Sequence, residues 1–252
     1  MRQALTRRVL TELKRKAEKV PEEYGTFWEN FGAVLKEGLY EDSERRDDLL
    51  TLARFRSTAS DGWVSLAEYV GRMKEGQSAI YYITGDNLES VKQSPQLEGF
   101  RARGVEVLLL TDPVDDFWLS SVHDYDEKPL KSATRGAADL SELKRDDDAE
   151  ESADEAPVRD AEIATLIALL KQNLGELVKD VRSTDRLTDS PVCLVADDGD
   201  LDMRLERMLK AHQQTQQSSR RILELNPKHA LIKGLCARAQ ESGAADDLAD
   251  IA

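Results

Sequence analysis

The sequence predicts a protein of mixed class, α/β in its parts and α+β overall. It consists of a helical segment, a small αβα subdomain, an acidic linker and an α+β domain with a small three-stranded sheet. Three observations predict this arrangement. Apolar residues recur at helical spacing through the first forty positions, short apolar runs then alternate with helical stretches, and a run of acidic and small residues divides the chain past its middle.

The N-terminal part is predicted to be helical. In the first helix, the apolar residues at helical spacing are Leu5, Val9, Leu13 and Ala17. Pro21 ends that helix. A second helix, Glu22–Lys36, carries an apolar face, which consists of Tyr24, Phe27, Trp28, Phe31 and Leu35. A third helix is expected at about Arg45–Phe55. The first helix begins at Met1 without a preceding cap, which predicts that the chain is part of a longer protein.

Two buried strands are predicted next, Ser78–Thr84 and Val105–Leu110, because both are short apolar runs rich in β-branched or aromatic residues. Helical stretches precede and separate them, which is typical of a small parallel sheet covered by helices. A further short helix, Val114–Ser121, is expected after Asp112 and Pro113.

The acidic run at 139–162 buries little surface and predicts a linker or frayed helix. A core-facing helix follows at Ala161–Leu174. Three strands are predicted after it, at Leu177–Arg182, Val192–Ala196 and Arg221–Leu225, with a helix Leu201–His212 and a polar loop Gln213–Ser219 between the last two strands. The predicted domains are therefore 1–131 (helical segment 1–60, αβα subdomain 61–131), linker 132–160 and second domain 161–252.

Charge and composition exclude several classes of protein. The chain has 252 residues, with 35 basic and 49 acidic side chains, which gives a net charge of −14. Such an acidic excess disfavours nucleic-acid partners and anionic membrane surfaces, since both require a basic face. The N-terminus lacks the apolar stretch of a secretory signal. The two cysteines, Cys193 and Cys236, form no CxxC pair, so we expect buried, reduced thiols in a cytoplasmic protein.

No catalytic or metal-binding motif is present in the sequence. It contains no GxxxxGK[ST], GxGxxG or GxSxG pattern, and its three histidines form no HxxxH or HxxE pair. The segment Asp197–Asp200 resembles the start of a calcium loop but lacks the remaining ligand positions, so a turn is the better interpretation. We therefore expect no enzymatic activity, no metal and no cofactor on this chain.

Two apolar clusters are candidates for binding. The first comprises Asp115, Asp116, Phe117, Trp118 and Leu119, on the short helix after the second strand; taken alone, its two aromatic residues fit a surface site and the core equally well. The second is a stripe at helical spacing, which consists of Leu201, Leu205, Met208 and Leu209. A helix this short is only marginally stable by itself. The stripe must therefore bury against something, and the residues alone favour its own domain.

Six stretches together resemble the heat-shock protein 90 chaperones of the bacterial HtpG branch. They run in the family's order and are Phe27–Asp42 (FWENFGAVLKEGLYED), Tyr69–Gly85 (YVGRMKEGQSAIYYITG), Gly104–Trp118 (GVEVLLLTDPVDDFW), Val178–Val195 (VKDVRSTDRLTDSPVCLV), Met203–His212 (MRLERMLKAH) and Leu223–Ile232 (LELNPKHALI). The resemblance implies that 1–131 is the later part of a middle domain and that 161–252 is most of a C-terminal dimerisation domain.

Such chaperones are ATP-driven homodimers that bind partly folded client proteins. The resemblance implies that the ATP and magnesium site of the parent protein, and the arginine loop that contacts the γ-phosphate, are absent from this chain. It also implies that the chain stops before the last helices of the dimer interface, so the oligomeric state of the chain itself stays open.

The resemblance also implies a role for the two clusters, since the family's client-contacting surfaces match Asp116, Phe117 and Trp118, and the stripe Leu201, Leu205, Met208 and Leu209. The predicted function is client binding and coupling of ATP-driven motion to the C-terminal dimer. The alternative is a passive structural connector and dimerisation scaffold whose apolar stripes are internal.

Overall fold

The computed structural model describes residues 2–135, 158–197 and 219–240, together with the single positions 140, 143, 200, 204, 206 and 209. The chain divides into two compact units. The first comprises Met1–Lys92 and Glu106–Ser132, and the second comprises Gln93–Val105 and Ala133–Ala252. The acidic linker predicted at 132–160 lies mostly outside the described residues.

The first unit opens with three helices, α1 (Arg2–Lys19), α2 (Pro21–Glu41) and α3 (Arg46–Leu52). Pro21 occupies the first turn of α2, where its missing N–H costs no hydrogen bond, so α1 ends and a new helix starts within two residues. Side chains from all three helices form the core with the sheet below. Those of the helices are Leu10, Tyr24, Trp28, Leu39, Leu49, Leu50 and Leu52.

A five-stranded sheet completes the first unit, in the order β1-β3-β2-β5-β4. Its strands are β1 (Arg56–Ser57), β2 (Ile80–Thr84), β3 (Val107–Leu110), β4 (Asp124–Tyr125) and β5 (Lys128–Ser132). The central strands β3, β2 and β5 are parallel, while β1 and β4 are antiparallel edge strands. The two strands predicted from apolar runs are confirmed as β2 and β3, both buried along nearly their whole length.

Shorter helices cover this sheet: α4 (Leu66–Gly71), α5 (Leu88–Lys92) and α7 (Asp115–Trp118). The N-terminus of α4 has a capping box, in which Ser65 and Glu68 exchange hydrogen bonds. The helix predicted over Val114–Ser121 is confirmed but is only four residues long, because turn-type bonds from Ser120 and Ser121 to the carbonyls of Phe117 and Trp118 take over at its end.

The second unit contains α6 (Glu98–Arg101), α8 (Asp160–Leu174) and α9 (Ala230–Ala239), with a three-stranded sheet. The strands are β6 (Val178–Ser183), β7 (Val192–Val195) and β8 (Arg221–Leu225), in the order β6-β8-β7. Strand β8 pairs in parallel with β6 and antiparallel with β7. The predicted three-stranded sheet is thus confirmed.

The core of the second unit lies between α8, α9 and the sheet. Its buried side chains are Ile163, Leu166, Leu170, Leu174, Val181, Leu225, Ile232 and Cys236. On α8, the buried residues recur every three or four positions, so one face of the helix packs on the sheet and the other carries polar groups.

The carboxylate of Glu98, at the start of α6, connects this helix with the loop between β6 and β7. The carboxylate accepts hydrogen bonds from the backbone N–H groups of Thr188, Asp189 and Ser190, and from the Ser190 hydroxyl. Burial alone would raise the pKa of Glu98, but these hydrogen bonds together outweigh burial and hold that pKa below its usual value. The loop between β6 and β7 is therefore tied to α6 through one ionised side chain.

Candidate interaction site

The first predicted cluster lies on α7, directly after β3. The turn that links them is closed by two reciprocal hydrogen bonds: the N–H of Asp115 donates to the Asp112 carbonyl (3.0 Å), and the N–H of Asp112 donates to Oδ2 of Asp115 (3.0 Å). Such a turn leaves little freedom in how α7 leaves the strand. The positions of Asp116, Phe117 and Trp118 are therefore set by the end of a buried strand.

The structure places Trp118 in the core. Its side chain is fully buried, its ring lies 5.8 Å from that of Phe55, and its indole N–H donates to Oδ1 of Asp115 at 2.8 Å. Asp116 is buried as well. The expected surface position of these two residues is corrected: burying a large ring with its N–H satisfied is favourable, and neither side chain is available to an incoming polypeptide.

Phe117 has the opposite environment, with 47% of its surface exposed. Its ring lies 6.1 Å, centroid to centroid, from the ring of Tyr40, which is itself 36% exposed near the end of α2. We call these two rings the aromatic pair. The sequence does not indicate Tyr40 as a site residue, because it stands 77 positions from Phe117 and outside the predicted apolar face of α2.

One turn before Tyr40 on α2, the buried Lys36 forms a charge cluster with the buried Asp115 and the partly exposed Asp112. The ammonium group of Lys36 lies 2.8 Å from Oδ2 of Asp112 and 2.8 Å from Oδ1 of Asp115. It also lies 5.2 Å from the centroid of the Phe55 ring. Since Lys36 belongs to α2 and both aspartates belong to the β3–α7 connection, the cluster holds Tyr40 and Phe117 on elements that are fixed to each other.

Two carboxylates of α2, those of Glu37 and Glu41, lie near the Tyr40 side of the aromatic pair. Partial burial, followed by the neighbouring charges of Glu41 and Glu37, raises the pKa of the Tyr40 hydroxyl. Both glutamates are exposed on the last turns of α2. The site is thus a small apolar surface with negative charge beside it.

The second predicted cluster is described only in part. Leu201, Leu205 and Met208 lie outside the described residues, and Leu209 is helical and half-buried. On the same segment Arg204 and Glu206 are buried. Glu206 forms an ion pair with Arg221 of β8 and accepts a hydrogen bond from the N–H of Ser219 at 3.1 Å. Glu206 is therefore buried with its charge paired, because Arg221 of β8 supplies the partner.

The helical segment also carries exposed apolar residues, of which Leu5, Val9 and Phe31 belong to the predicted apolar faces and Val34 does not. On α2, Phe27 stacks on Phe31 with ring centroids 5.2 Å apart, and Val34 follows one turn later. The apolar arc of α2 is wider than one core contact needs, which is the signal that could have identified this stripe.

The described residues show no other candidate chemistry. They include no cluster of three or more histidine, cysteine or carboxylate side chains suited to a metal ion. No helix among them combines the length and apolar character needed to span a bilayer. Cys193 and Cys236 are free and buried, as expected. Burial, and then the charge of Glu224, raises the pKa of the Cys193 thiol to about 11, so this thiol is a poor nucleophile at neutral pH.

Comparison with known proteins shows the family of the chain. The family model described as Hsp90 protein matches residues 1–252, the whole chain. The chain belongs to the Hsp90 family. It is 56% identical over 253 residues to the chaperone protein HtpG of Paramagnetospirillum magneticum, and this match covers all of the chain and 40% of the relative.

Other HtpG proteins match the chain over similar lengths. The chaperone protein HtpG of Roseobacter denitrificans is 55% identical, with 97% of the chain and 39% of the relative covered. That of Rhodospirillum rubrum is 52% identical, with 97% of the chain and 40% of the relative covered. The chain thus spans about 40% of the length of these Hsp90-family relatives, and the resemblance found from the six stretches is confirmed.

Proposed function

We propose that this chain is a client-binding part of an HtpG-type chaperone, and that Phe117 is the centre of one client-contacting surface. The observation that carries the proposal is the exposure of the Phe117 ring between two buried neighbours, Asp116 and Trp118. When an apolar side chain of a client covers this exposed ring, apolar surface is removed from water, and the free energy of the complex is lowered.

The strength of such a contact suits a chaperone. Fully burying a phenylalanine side chain contributes about 1.5–3 kcal/mol, and a ring that is already half-covered contributes correspondingly less. One contact of this size releases clients readily and discriminates little among apolar side chains. The stripe of Leu201, Leu205, Met208 and Leu209 is proposed as a second weak contact, since several weak sites on one chain gain through effective concentration.

The remaining roles belong to the longer protein and are also proposals. We propose that ATP and magnesium bind outside this chain, that the full-length protein is a cytoplasmic homodimer, and that this segment transmits ATP-driven motion to the dimer. Isothermal titration calorimetry of the purified chain with Mg·ATP tests the first of these. Binding in the micromolar range would overturn it.

Client binding is tested with Phe117→Ser. The variant and the unmodified chain are mixed with a chemically denatured, aggregation-prone protein, and light scattering follows aggregation. Phe31→Ser is the matched control, because Phe31 is an exposed phenylalanine of the same unit, on α2. We expect Phe117→Ser to weaken suppression several-fold and Phe31→Ser to retain it, with unchanged circular dichroism for both.

The alternative, a passive connector without client contact, predicts a different result. The unmodified chain would then fail to slow aggregation, or Phe117→Ser would be as active as the unmodified chain. Either outcome would count against client binding at Phe117. A Leu205→Ser/Leu209→Ser variant in the same assay tests the second contact separately.

A further inference from the structure

We propose that the surface formed by Tyr40, Phe117, Glu37 and Glu41 prefers client segments in which a lysine or arginine stands next to an aromatic or aliphatic side chain. This inference rests on the proposed client binding at Phe117 and adds a charge preference to it. Segments of equal apolar content that carry carboxylates would be bound less well.

Glu37 and Glu41 destabilise the C-terminal end of the helix that carries them. Glu37 and Glu41 stand one turn apart on α2, where like charges repel. They also lie at the negative end of the helix dipole, and the last turn of α2 contains no basic residue. Local stability therefore disfavours both carboxylates, a pattern expected where a surface serves recognition.

The cations nearest in sequence already have partners elsewhere. Lys36 is buried between Asp112 and Asp115. At the other end of the connection to α3, Arg45 pairs with Asp42, and Arg46 donates to the Leu39 carbonyl. The carboxylates of Glu37 and Glu41 thus face solvent next to the aromatic pair and are placed to receive a charge from a client.

The chemistry of the surface matches one kind of side-chain pair. An aromatic or aliphatic side chain of the client covers the exposed ring of Phe117. A neighbouring guanidinium or ammonium group is attracted both by the face of an aromatic ring and by the two carboxylates. A client carboxylate in the same place meets like charge. Charge complementarity therefore selects a cationic, apolar segment as the occupant.

The experiment measures binding of three matched peptides to the 252-residue chain by fluorescence anisotropy with an uncharged dye. The peptides share their apolar residues and carry two lysines, two glutamines or two glutamates at the same positions. We expect the lysine peptide to bind about fivefold more tightly than the glutamine peptide at low salt, and the glutamate peptide to bind most weakly. High salt should reduce the difference.

The deciding variant is Glu37→Gln/Glu41→Gln, with Glu75→Gln/Glu89→Gln as its control. Both change the net charge equally, and Glu75 and Glu89 are exposed residues of the same unit on other elements. We expect the first variant to lose most of the preference for lysine and the control to keep it. The first variant should also unfold at an equal or higher temperature, since repulsion at the end of α2 is relieved.

Three outcomes separate the two proposals. If the two variants lose the preference equally, the whole-chain charge causes it and the inference is overturned. If Glu37→Gln/Glu41→Gln keeps the full preference, the inference fails while client binding stands, provided that Phe117→Ser weakens all three peptides. If Phe117→Ser leaves all three affinities unchanged, the proposed client binding itself fails.

Discussion

The ammonium group of Lys36 lies 2.8 Å from Oδ1 of Asp115, and both side chains are buried. The same carboxylate oxygen accepts the indole N–H of Trp118. One aspartate therefore connects the helix that carries Tyr40 with the helix that carries Phe117. The exposed aromatic pair depends on this buried contact for its geometry.

Asp115→Ala should destabilise the first unit strongly. The substitution leaves the buried Lys36 with one carboxylate partner and the Trp118 indole without its acceptor, and we expect the free energy of unfolding to fall by about 3–5 kcal/mol. Urea unfolding followed by tryptophan fluorescence measures this, since all three tryptophans lie in the first unit.

Glu12→Ala is the control for this prediction. It removes an exposed ion pair with Arg15 on α1 and should change the free energy of unfolding by less than about 1 kcal/mol. An effect of Asp115→Ala no larger than that of Glu12→Ala would contradict the anchoring role of the buried cluster.

Glu98→Gln should loosen the loop between β6 and β7. The glutamine amide has one accepting oxygen where the carboxylate has two. Its NH2 group also places a donor where the loop needs an acceptor, so we expect a loss of about 1–3 kcal/mol in local stability. Hydrogen–deuterium exchange at Thr188, Asp189 and Ser190 measures it. The fully exposed Glu176→Gln should leave this exchange unchanged.

Acid should have a similar effect on the same loop. Because the pKa of Glu98 is lower in the folded chain, its contribution to stability is present above the ordinary glutamate pKa and is lost as the pH falls through the folded value. Protection of the three amides, corrected for intrinsic exchange, should therefore decrease at acid pH. Protection that stays constant down to strongly acid pH would contradict the role of the carboxylate.

Two glycine substitutions in the second unit should change the free energy of unfolding in opposite directions. A Cβ at Gly99 would lie 2.8 Å from the Arg186 carbonyl oxygen, so Gly99→Ala forces α6 and the β6–β7 loop apart and should cost about 1–3 kcal/mol. A Cβ at Gly234, inside α9, meets open space, and Gly234→Ala should stabilise by about 0.5–1 kcal/mol. Calorimetric unfolding of the two variants measures both, and equal signs would refute the packing of α6.

Cys193 should resist alkylation in the folded chain. Because burial raises its pKa to about 11, little thiolate forms at pH 8, and iodoacetamide should label it far more slowly than in urea. The raised pKa also means that this residue's contribution to stability is present below the ordinary cysteine pKa and is lost as the pH rises toward 11. Labelling at equal rates with and without urea, followed by mass spectrometry, would disprove the buried position.

Much of the fold follows from the apolar pattern of the chain. The core-facing helix α8, the strands β2 and β3 and the three strands of the second unit are predicted because each is a clear apolar repeat or run. The hairpin β4–β5 is missed because its turn residues, Asp126 and Glu127, adopt positive φ without glycine or asparagine. The helix α9 is missed because Gly234, a poor helix former, stands in its middle, and packing against α8 and the sheet stabilises it.

The sequence by itself determined the order of the elements, the apolar stripes and the kinship with the chaperone family, because periodicity and motifs are local properties of the chain. Only the tertiary structure decided which of Asp116, Phe117 and Trp118 faces water and that Tyr40 lies beside Phe117. Successive residues on a short helix point about 100° apart, so the sequence permits any of the three to face outward. The cluster of Lys36 and Asp115, formed by residues distant in the chain, selects Phe117.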